Sequence, residues 1–285
     1  MPSGMWSTED AAGRGFTAGQ VRAYSWPGPL NTREGDRLAD KAALITGGSS
    51  GIGFAVARAL GEDGYGVTIA ARRPDKLEKA AAELRKAGLD AHHVAANMMD
   101  EDDIKRMLAS HSERFGRLDL LMNNAGLGIG GMIEEAETKK LDMQLGVNLR
   151  AVYLATRDAI PMLKEAARQQ NGGGAMIVNT ASIAGKQPQG WLAAYSATKA
   201  AVIALTEATG KELAGDGIRC TAICPGFVDT PMTDWARSQG VPGEEMIRPE
   251  DIAEIVRCLL RLSPAAIVPE VMIIRPQELA SGATP

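Results

Sequence analysis

Short apolar runs alternate with segments of helical period along most of the chain. The apolar runs predict buried strands at 42–46, 66–70, 91–96, 118–123, 175–181, 218–224 and 271–274. Apolar residues recurring every three or four positions predict helices at 52–62, 75–87, 100–115, 138–168, 190–214 and 249–262. Pro161 should bend or break the fourth helix, because its ring removes one backbone hydrogen bond. The alternation predicts an α/β fold, with a doubly wound, seven-stranded, mostly parallel sheet and helices on both faces.

The first forty residues differ from the rest of the chain. They contain six glycines and three prolines and show no sustained apolar period. We therefore divide the chain into an N-terminal extension, 1–40, and one folded domain, 41–285. The extension holds Trp6 and Trp26, and free tails are normally poor in aromatic residues. We expect it to pack on the domain or on a neighbouring subunit, with a free tail as the alternative.

The composition excludes several classes of protein. Hydrophobic residues make up 45% of the 285 residues and charged residues 23%, unlike a coiled coil or a disordered chain. The net charge of -4 gives no attraction for nucleic acid, and no apolar run suits a membrane span or a signal peptide. Three separated cysteines, Cys220, Cys224 and Cys258, fit neither a disulfide framework nor a zinc site. We therefore expect a cytoplasmic protein without a metal, a membrane partner or a nucleic-acid partner.

A glycine-rich turn joins the first predicted strand to the first predicted helix. It reads Thr46-Gly47-Gly48-Ser49-Ser50-Gly51-Ile52-Gly53. Such a turn lets backbone N–H groups and the positive end of the helix dipole approach a pyrophosphate. Alone it is a weak signal, because Val56 stands where the usual dinucleotide fingerprint has its third glycine.

Tyr195 and Lys199 form a second candidate site. They are four residues apart in a predicted helix, so they share one face and can meet in one pocket. The alternative is an exposed tyrosine beside a solvated lysine.

Together these motifs resemble one family. TGxxxGIG at 46–53, Asn123-Asn124-Ala125-Gly126, Asn148, Ser182, the Tyr195/Lys199 pair and Pro225-Gly226 occur in the order and spacing of the short-chain dehydrogenase/reductases. The resemblance covers residues 42–276 and implies a Rossmann fold and hydride transfer with a nicotinamide cofactor.

The resemblance also implies a catalytic role for four residues. Tyr195 would be the acid/base, and its pKa must fall toward neutrality for useful proton exchange. Lys199 would stabilise the phenolate and bind the nicotinamide ribose. Ser182 would polarise the substrate carbonyl, unless it only caps its own turn. Asn148 would hold a water that links Lys199 to solvent, or else satisfy helix backbone as a buried amide.

Further residues are expected to contact the cofactor. Asn123 and the backbone of Ala125 and Gly126 would lie beside the adenosine ribose, and Asn97 would replace an aspartate that touches the adenine. The whole predicted set, besides Tyr195 and Lys199, is Gly47, Ser49, Ser50, Gly51, Ile52, Gly53, Arg72, Arg73, Asn97, Met98, Asn124, Ala125, Gly126, Pro225, Gly226, Val228 and Thr230.

The end of the second strand predicts the choice of cofactor. Ala71 stands where an acidic residue would bind the ribose hydroxyls and select NAD. Arg72 and Arg73 follow, and a guanidinium can hold a 2′-phosphate. We therefore expect NADP(H) to be favoured over NAD(H), unless the arginines merely solvate the loop.

The expected substrate is a small secondary alcohol or ketone. The site walls would come from 128–132, 187–192 and an apolar lid at about 227–247, whose apolar residues could instead pack on the core. Two alternatives remain: a 3-oxoacyl thioester reductase acting on carrier-protein or coenzyme A thioesters, and a non-catalytic dinucleotide-sensing regulator.

Two further expectations concern assembly and the histidines. The resemblance implies a homo-oligomer, a tetramer or a dimer, paired through the long helices. His92, His93 and His111 lie away from every motif, and we expect them at the surface.

Overall fold

The computed structural model describes residues 40–169, 174–238 and 240–280. Our expectation for the N-terminal extension, with Trp6 and Trp26, concerns residues outside this part of the chain.

A parallel sheet forms the centre of the molecule. Its strands are β1 (Ala42–Thr46), β2 (Gly66–Ala71), β3 (Ala91–Ala95), β4 (Leu120–Asn123), β5 (Ala175–Thr180), β6 (Ile218–Pro225) and β7 (Glu270–Ile273). They lie in the order β3-β2-β1-β4-β5-β6-β7, and all neighbours are parallel. The order reverses between β1 and β4, which leaves a crevice at the carboxyl ends of these strands. The predicted doubly wound fold is confirmed.

Helices cover both faces of the sheet. They are α1 (Gly51–Glu62), α2 (Pro74–Lys86), α3 (Glu101–Phe115), α4 (Thr138–Leu145), α5 (Ala151–Gln169), α6 (Ala193–Leu213), α7 (Asp234–Ser238), α8 (Pro249–Arg261) and α9 (Pro276–Ala280). One apolar core lies between the sheet and α1, α2 and α8, and another lies between the sheet and α3 and α5. Because β1 is buried at every residue, it shows a continuous apolar run rather than alternation. β6 is also buried at every residue, although it contains Arg219 and Thr221.

The fourth predicted helix is interrupted, but not at Pro161. A turn of π-helix at Gly146–Arg150 separates α4 from α5, and α5 continues through Pro161 to Gln169. Residues on both sides of the proline, Ala159 and Met162, are buried in the core. We infer that this packing outweighs the lost hydrogen bond, so the prediction of a break at Pro161 was wrong.

Helix α6 begins three residues later than predicted. Trp191 has a φ of 56°, in the left-handed region. Among the described residues it is the only one other than glycine with a positive φ. A right-handed helix cannot pass through this conformation, so α6 starts only at Ala193.

His111 is buried, contrary to the expectation of three surface histidines. Its ring is fully inaccessible between α3 and β2, with Nε2 2.9 Å from the Arg117 carbonyl and Nδ1 2.8 Å from the Thr68 hydroxyl. A carbonyl only accepts, so Nε2 carries the proton and Nδ1 accepts from Thr68. Burial lowers the pKa of His111 to about 4, which keeps the ring neutral.

Candidate active site

A cleft of about 580 Å³ opens at the carboxyl ends of the strands. Nearly every predicted site residue lines it: Gly47, Ser49, Ser50, Gly51, Ile52, Arg72, Arg73, Asn97, Met98, Asn124, Ala125, Gly126, Ser182, Tyr195, Lys199, Pro225, Gly226, Val228 and Thr230. Gly53, Asn123 and Asn148 do not line it. The fold thus brings together residues that are as much as 183 positions apart, from Gly47 to Thr230.

The glycine turn forms a narrow backbone cradle at one end of the cleft. The N–H groups of Gly47 and Gly48 donate to the Ala70 carbonyl at 2.7 and 3.2 Å, which folds the turn over β2. Gly47 and Gly51 have φ values of 70° and 55°, which glycine adopts without strain. A Cβ on Gly53 would lie 2.6 Å from Asn124 Nδ2, so Gly53 permits close packing rather than cofactor contact.

The start of α1 faces the cleft without a side-chain cap. Ser50 is the N-cap residue of this twelve-residue helix, and its side chain makes no capping hydrogen bond. The amide groups of the first turn and the helix dipole are therefore suited to an anionic group. A dinucleotide pyrophosphate fits this cradle.

Thr46 and Asn124 connect the turn to β4. Thr46 Oγ1 accepts from the amides of Asn124 and Ala125, both at 3.0 Å. The Asn124 side chain in turn donates to the Thr46 carbonyl at 3.0 Å and accepts from Thr180. Sequence reasoning missed the role of Thr46, although its position directly before Gly47 was a signal.

Asn123 is a core residue, which corrects its expected place beside the ribose. It is buried and donates to Thr156 Oγ1 at 3.1 Å and to Asn179 Oδ1 at 2.8 Å. Because successive strand residues point to opposite faces, the last residue of β4 points toward α5 and only Asn124 reaches the cleft.

Ser182, Tyr195 and Lys199 meet at the other end of the cleft. Tyr195 and Lys199 come from the first two turns of α6, and Ser182 follows β5. Lys199 is only 4% exposed, and its Nζ donates to the Thr180 carbonyl at 2.7 Å. The same Nζ lies 5.7 Å from the centroid of the Tyr195 ring. Ser182 Oγ accepts from the Ala184 amide at 3.1 Å, so it also caps its own turn.

The pKa of Tyr195 departs from our expectation. Burial raises it above the usual value, and a hydrogen bond with Ser182 acts in the opposite direction. Burial also lowers the pKa of Lys199 to about 8. The expected fall of the tyrosine pKa is absent, because burial outweighs the hydrogen bond with Ser182. Tyr195 is thus held as a neutral phenol, the form that donates a proton.

Asn148 lies in the π-helical turn and supports the loop that follows β4. Its Oδ1 accepts from the Leu127 amide at 2.8 Å, and its Nδ2 donates to the Leu127 carbonyl at 2.9 Å and to Thr198 Oγ1 at 3.1 Å. The amide thus bonds to loop backbone and to one side chain of α6, and not to helix backbone. A Cβ on Gly126 would lie 3.7 Å from Asn148 Oδ1 and 3.6 Å from Lys199 Nζ, so the amide stays near the lysine.

Exposed basic groups line the cleft where β2 ends. Arg72 and Arg73 line it, and within residues 40–169, 174–238 and 240–280 neither forms an ion pair. Asn97 is exposed beside them, and its Oδ1 accepts from the Met99 amide at 3.2 Å.

The two ends of the predicted lid, 227–247, are hydrogen-bonded to each other just after β6. The Ile247 amide donates to the Phe227 carbonyl at 2.9 Å, and the Asp229 amide donates to the Ile247 carbonyl at 2.8 Å. Its apolar residues divide between the two predicted roles: Met232 lines the cleft, whereas Met246 is buried.

The chain belongs to the short chain dehydrogenase family, whose model matches residues 41–240. It is 36% identical to a 3-oxoacyl-[acyl-carrier-protein] reductase, FabG, of Staphylococcus aureus over 195 residues, 68% of this chain and 77% of that protein. A solved 3-ketoacyl-(acyl-carrier-protein) reductase of Brucella melitensis, complexed with NADH, superposes with a TM-score of 0.75 at 33% identity, covering 83% of this chain and 97% of that one. An actinorhodin polyketide ketoreductase variant with NADPH gives a TM-score of 0.74 at 33% identity, covering 82% and 96%.

These matches confirm the resemblance found in the sequence. The chain is an oxidoreductase of the kind that acts on CH–OH and C=O groups. Among the described residues, no helix is long and apolar enough to cross a membrane. The same part of the chain holds no group of three His, Cys, Asp or Glu side chains that could bind a metal ion.

Proposed function

We propose that this protein transfers hydride between NADP(H) and a secondary alcohol or ketone, with Tyr195 as the acid/base. The observation that carries the proposal is one cleft with two ends. Ser182, Tyr195 and Lys199 line one end, and the glycine cradle at 47–53 forms the other. A dinucleotide that spans the cleft would have its phosphates on the cradle and its reactive ring near Tyr195.

The side chains supply the proton chemistry. A bound nicotinamide supplies the hydride that adds to the carbonyl carbon. The Ser182 hydroxyl donates a hydrogen bond to the carbonyl oxygen and holds it near the phenol. Tyr195 then donates its proton to that oxygen, so the C=O bond becomes CH–OH and a phenolate remains. The Lys199 ammonium, buried close to the ring, stabilises this phenolate before solvent returns the proton.

Arg72 supports a preference for NADP(H). It is exposed at the ribose end of the cleft, without an ion-pair partner in the described chain, next to the uncharged Ala71. A guanidinium there can form paired hydrogen bonds with a 2′-phosphate, and no carboxylate repels that group. Arg73, the N-cap residue of α2, is placed to assist.

A 3-oxoacyl thioester reductase is the second candidate. It is favoured by the similarity to the 3-oxoacyl reductases of Staphylococcus aureus and Brucella melitensis, which match most of the chain. The chemistry at Tyr195 would be the same, and only the group attached to the carbonyl would differ.

A panel of ketones, 3-oxoacyl thioesters and secondary alcohols, assayed with both cofactors by the absorbance of the reduced nicotinamide, tests the proposal. We expect turnover of at least one carbonyl class and a higher kcat/KM with NADPH. Dinucleotide binding without turnover of any compound would instead support the non-catalytic regulator.

Two further features belong to the proposal. Helices α5 and α6 would pair two subunits, and Tyr153 on α5 is 54% exposed, as an interface residue in a lone chain would be. We thus propose a dimer or tetramer, measurable by light scattering. Cys220, Cys224 and Cys258 are free thiols, which favours a reducing compartment such as the cytoplasm.

A further inference from the structure

Three aromatic side chains form a continuous wall beside the cleft, next to segments whose residues Gly128, Gly226 and Met232 line it. The Trp191 and Trp235 rings meet edge to face, with centroids 5.0 Å apart at 83°. Trp235 also meets Phe227, with centroids 5.8 Å apart at 66°. Trp191 precedes α6, whereas Phe227 and Trp235 belong to the lid. This aromatic wall therefore joins the segment before α6 to the lid, beside the cleft.

The Trp191 end of the wall is held by the loop that follows β4. The Trp191 carbonyl accepts from the Gly131 amide at 2.7 Å. A Cβ on Gly130 would lie 2.2 Å from Trp191 Cε3, so the ring packs directly on the backbone of this glycine. With its left-handed backbone, Trp191 is fixed by local contacts on two sides.

The Phe227 end of the wall is held by Arg275, which follows β7. The Arg275 guanidinium lies 4.8 Å from the centroid of the Phe227 ring, within the range of a cation–π contact. Arg275 in turn forms an ion pair with Glu278 at 3.2 Å. The wall is thus anchored at both ends before any ligand arrives, which lowers the entropic cost of binding.

The wall lies close to the reacting phenol. A Cβ on Gly128 would lie 3.7 Å from Tyr195 Cε2, and Gly130, two residues further on, supports Trp191. Positions two residues apart lie at most about 7 Å from each other, roughly the width of one aromatic ring. A ring attached to a carbonyl held by Tyr195 would therefore reach the tryptophans.

The wall keeps much apolar surface in contact with solvent. Trp191 is 45% exposed, Trp235 is 41% exposed and the neighbouring Met232 is 46% exposed. Contiguous exposed apolar surface in a cleft marks a binding site. The segments that flank the mouth also carry exposed carboxylates, Glu134 and Glu135 on one side and Glu244 and Glu245 on the other. Such charges disfavour an anionic substrate or an acidic carrier protein.

We propose that the aromatic wall selects ketones whose carbonyl bears a flat apolar group, such as an aryl or fused-ring group, and that Trp191 and Trp235 are its specificity-determining residues. This inference rests on the proposed function, since it names the substrate class of the same site. Flat rings match the wall because aromatic pairs are attractive beyond the area that they bury.

The test compares two uncharged ketones with equal numbers of carbon atoms, the fused-ring 1-tetralone and the linear 2-decanone. We expect kcat/KM for 1-tetralone to be at least about 10-fold higher in the unaltered protein. Trp235→Leu should remove most of that ratio by raising KM for 1-tetralone, and Trp235→Phe should retain much of it. Ile267 is an exposed apolar residue before β7, and so it lies at the amino ends of the strands, away from the cleft. Ile267→Ala should change kcat/KM for neither ketone.

Equal losses with both ketones in Trp235→Leu, or a preference for 2-decanone in the unaltered protein, would overturn the inference. Equilibrium dialysis of 1-tetralone against the NADPH-saturated protein separates this failure from failure of the proposed function. Binding that depends on Trp235 without turnover of any carbonyl would refute the reductase and keep the aromatic site. Turnover of carbonyls without any effect of Trp235 on selectivity would do the reverse.

Discussion

Lys199 Nζ donates a hydrogen bond to the Thr180 carbonyl at 2.7 Å, at the end of β5 and in the lining of the cleft. The ammonium is therefore held in place by the sheet itself before any ligand binds. Burial at this point lowers the pKa of Lys199 from 10.5 to about 8. A charged ammonium at this buried position costs free energy, because it is removed from water. Such a buried charge is typical of functional groups rather than structural ones.

Lys199→Met should change how stability depends on pH. The pKa of Lys199 in the folded protein lies below its value in the unfolded chain, so the unfolded chain binds more protons between pH 8 and 10.5. The free energy of unfolding therefore increases as pH rises through that range. The free energy of unfolding of the unaltered protein should rise across the range by roughly 3 kcal/mol relative to Lys199→Met. Urea denaturation of both proteins across the range measures this difference, and parallel profiles would contradict it. Burial alone raises the pKa of Cys220, so the comparison cancels the contribution of this thiol. Cys224 interacts electrostatically with Lys199, so both proteins should also carry Cys224→Ala.

Tyr195→Phe should lower kcat by at least about 100-fold and leave the affinity for the cofactor nearly unchanged. The substitution removes the proton donor but little contact area. Tyr65→Phe, directly before β2 and so at the end of the sheet away from the cleft, is the matched control and should keep full activity. Steady-state kinetics and cofactor titration measure the two effects. Turnover of Tyr195→Phe within a few-fold of the unaltered protein would refute the acid/base assignment.

His111 predicts a loss of stability in mild acid. Its pKa in the folded protein is about 4 and its ordinary value is 6.5, so the unfolded chain binds more protons between these values. Stability that is present above pH 6.5 should be lost as pH falls toward 4, by about 3 kcal/mol. Thermal and urea unfolding, measured at a series of pH values, should show this loss of stability in the unaltered protein. His93→Gln, which removes a ring that is 33% exposed, should show the same loss. A His111→Gln protein with the same acid loss would disprove the assignment.

Glu278 and Gly226 should show strong coupling. Glu278 accepts from the Phe227 and Arg275 amides at 3.4 and 2.8 Å, and a Cβ on Gly226 would lie 2.3 Å from Glu278 Oε2. Gly226→Ala should thus destabilise the protein by about 1 to 3 kcal/mol and raise KM for the cofactor. In the Gly226→Ala/Glu278→Ala double variant the losses should be smaller than their sum by about 1 kcal/mol. Strict additivity in a double-mutant cycle would show that the two positions do not touch.

The sequence identified the site residues that local motifs define, and it missed those that long-range contacts define. The glycine turn and the Tyr195/Lys199 pair are predictable because each is a local pattern attached to one strand or helix, and Ser182 follows from the order and spacing of the family motifs. Burial of His111 depends on Thr68, 43 positions away, and carries no local signal. Whether Asn123 or Asn124 faces the cleft depends on where β4 ends, and strand ends are the least certain part of any prediction from periodicity.

The interruption of the fourth helix shows the same limit. Pro161 is a strong local signal, but the buried residues around it keep α5 continuous. The true interruption, at Gly146–Arg150, lies where Asn148 bonds to Leu127, 21 positions away. The aromatic wall could not be predicted either, because its three rings come from two loops whose relative placement only the folded sheet defines.

Arg72→Ala should remove most of the preference for NADPH. One charge-assisted phosphate contact contributes about 1.5 to 3 kcal/mol, so the unaltered protein should favour NADPH by roughly 10-fold or more in kcat/KM. The loss should fall on NADPH and spare NADH, since only NADPH carries the 2′-phosphate. Arg73→Ala should have a smaller effect of the same sign, because Arg73 begins α2 beyond the ribose position. Arg168→Ala, an exposed arginine at the end of α5, controls for the general loss of positive charge. Equal losses with the two cofactors in Arg72→Ala would show that this guanidinium does not recognise the phosphate, and the preference would then have to be sought among the backbone amides of the glycine cradle.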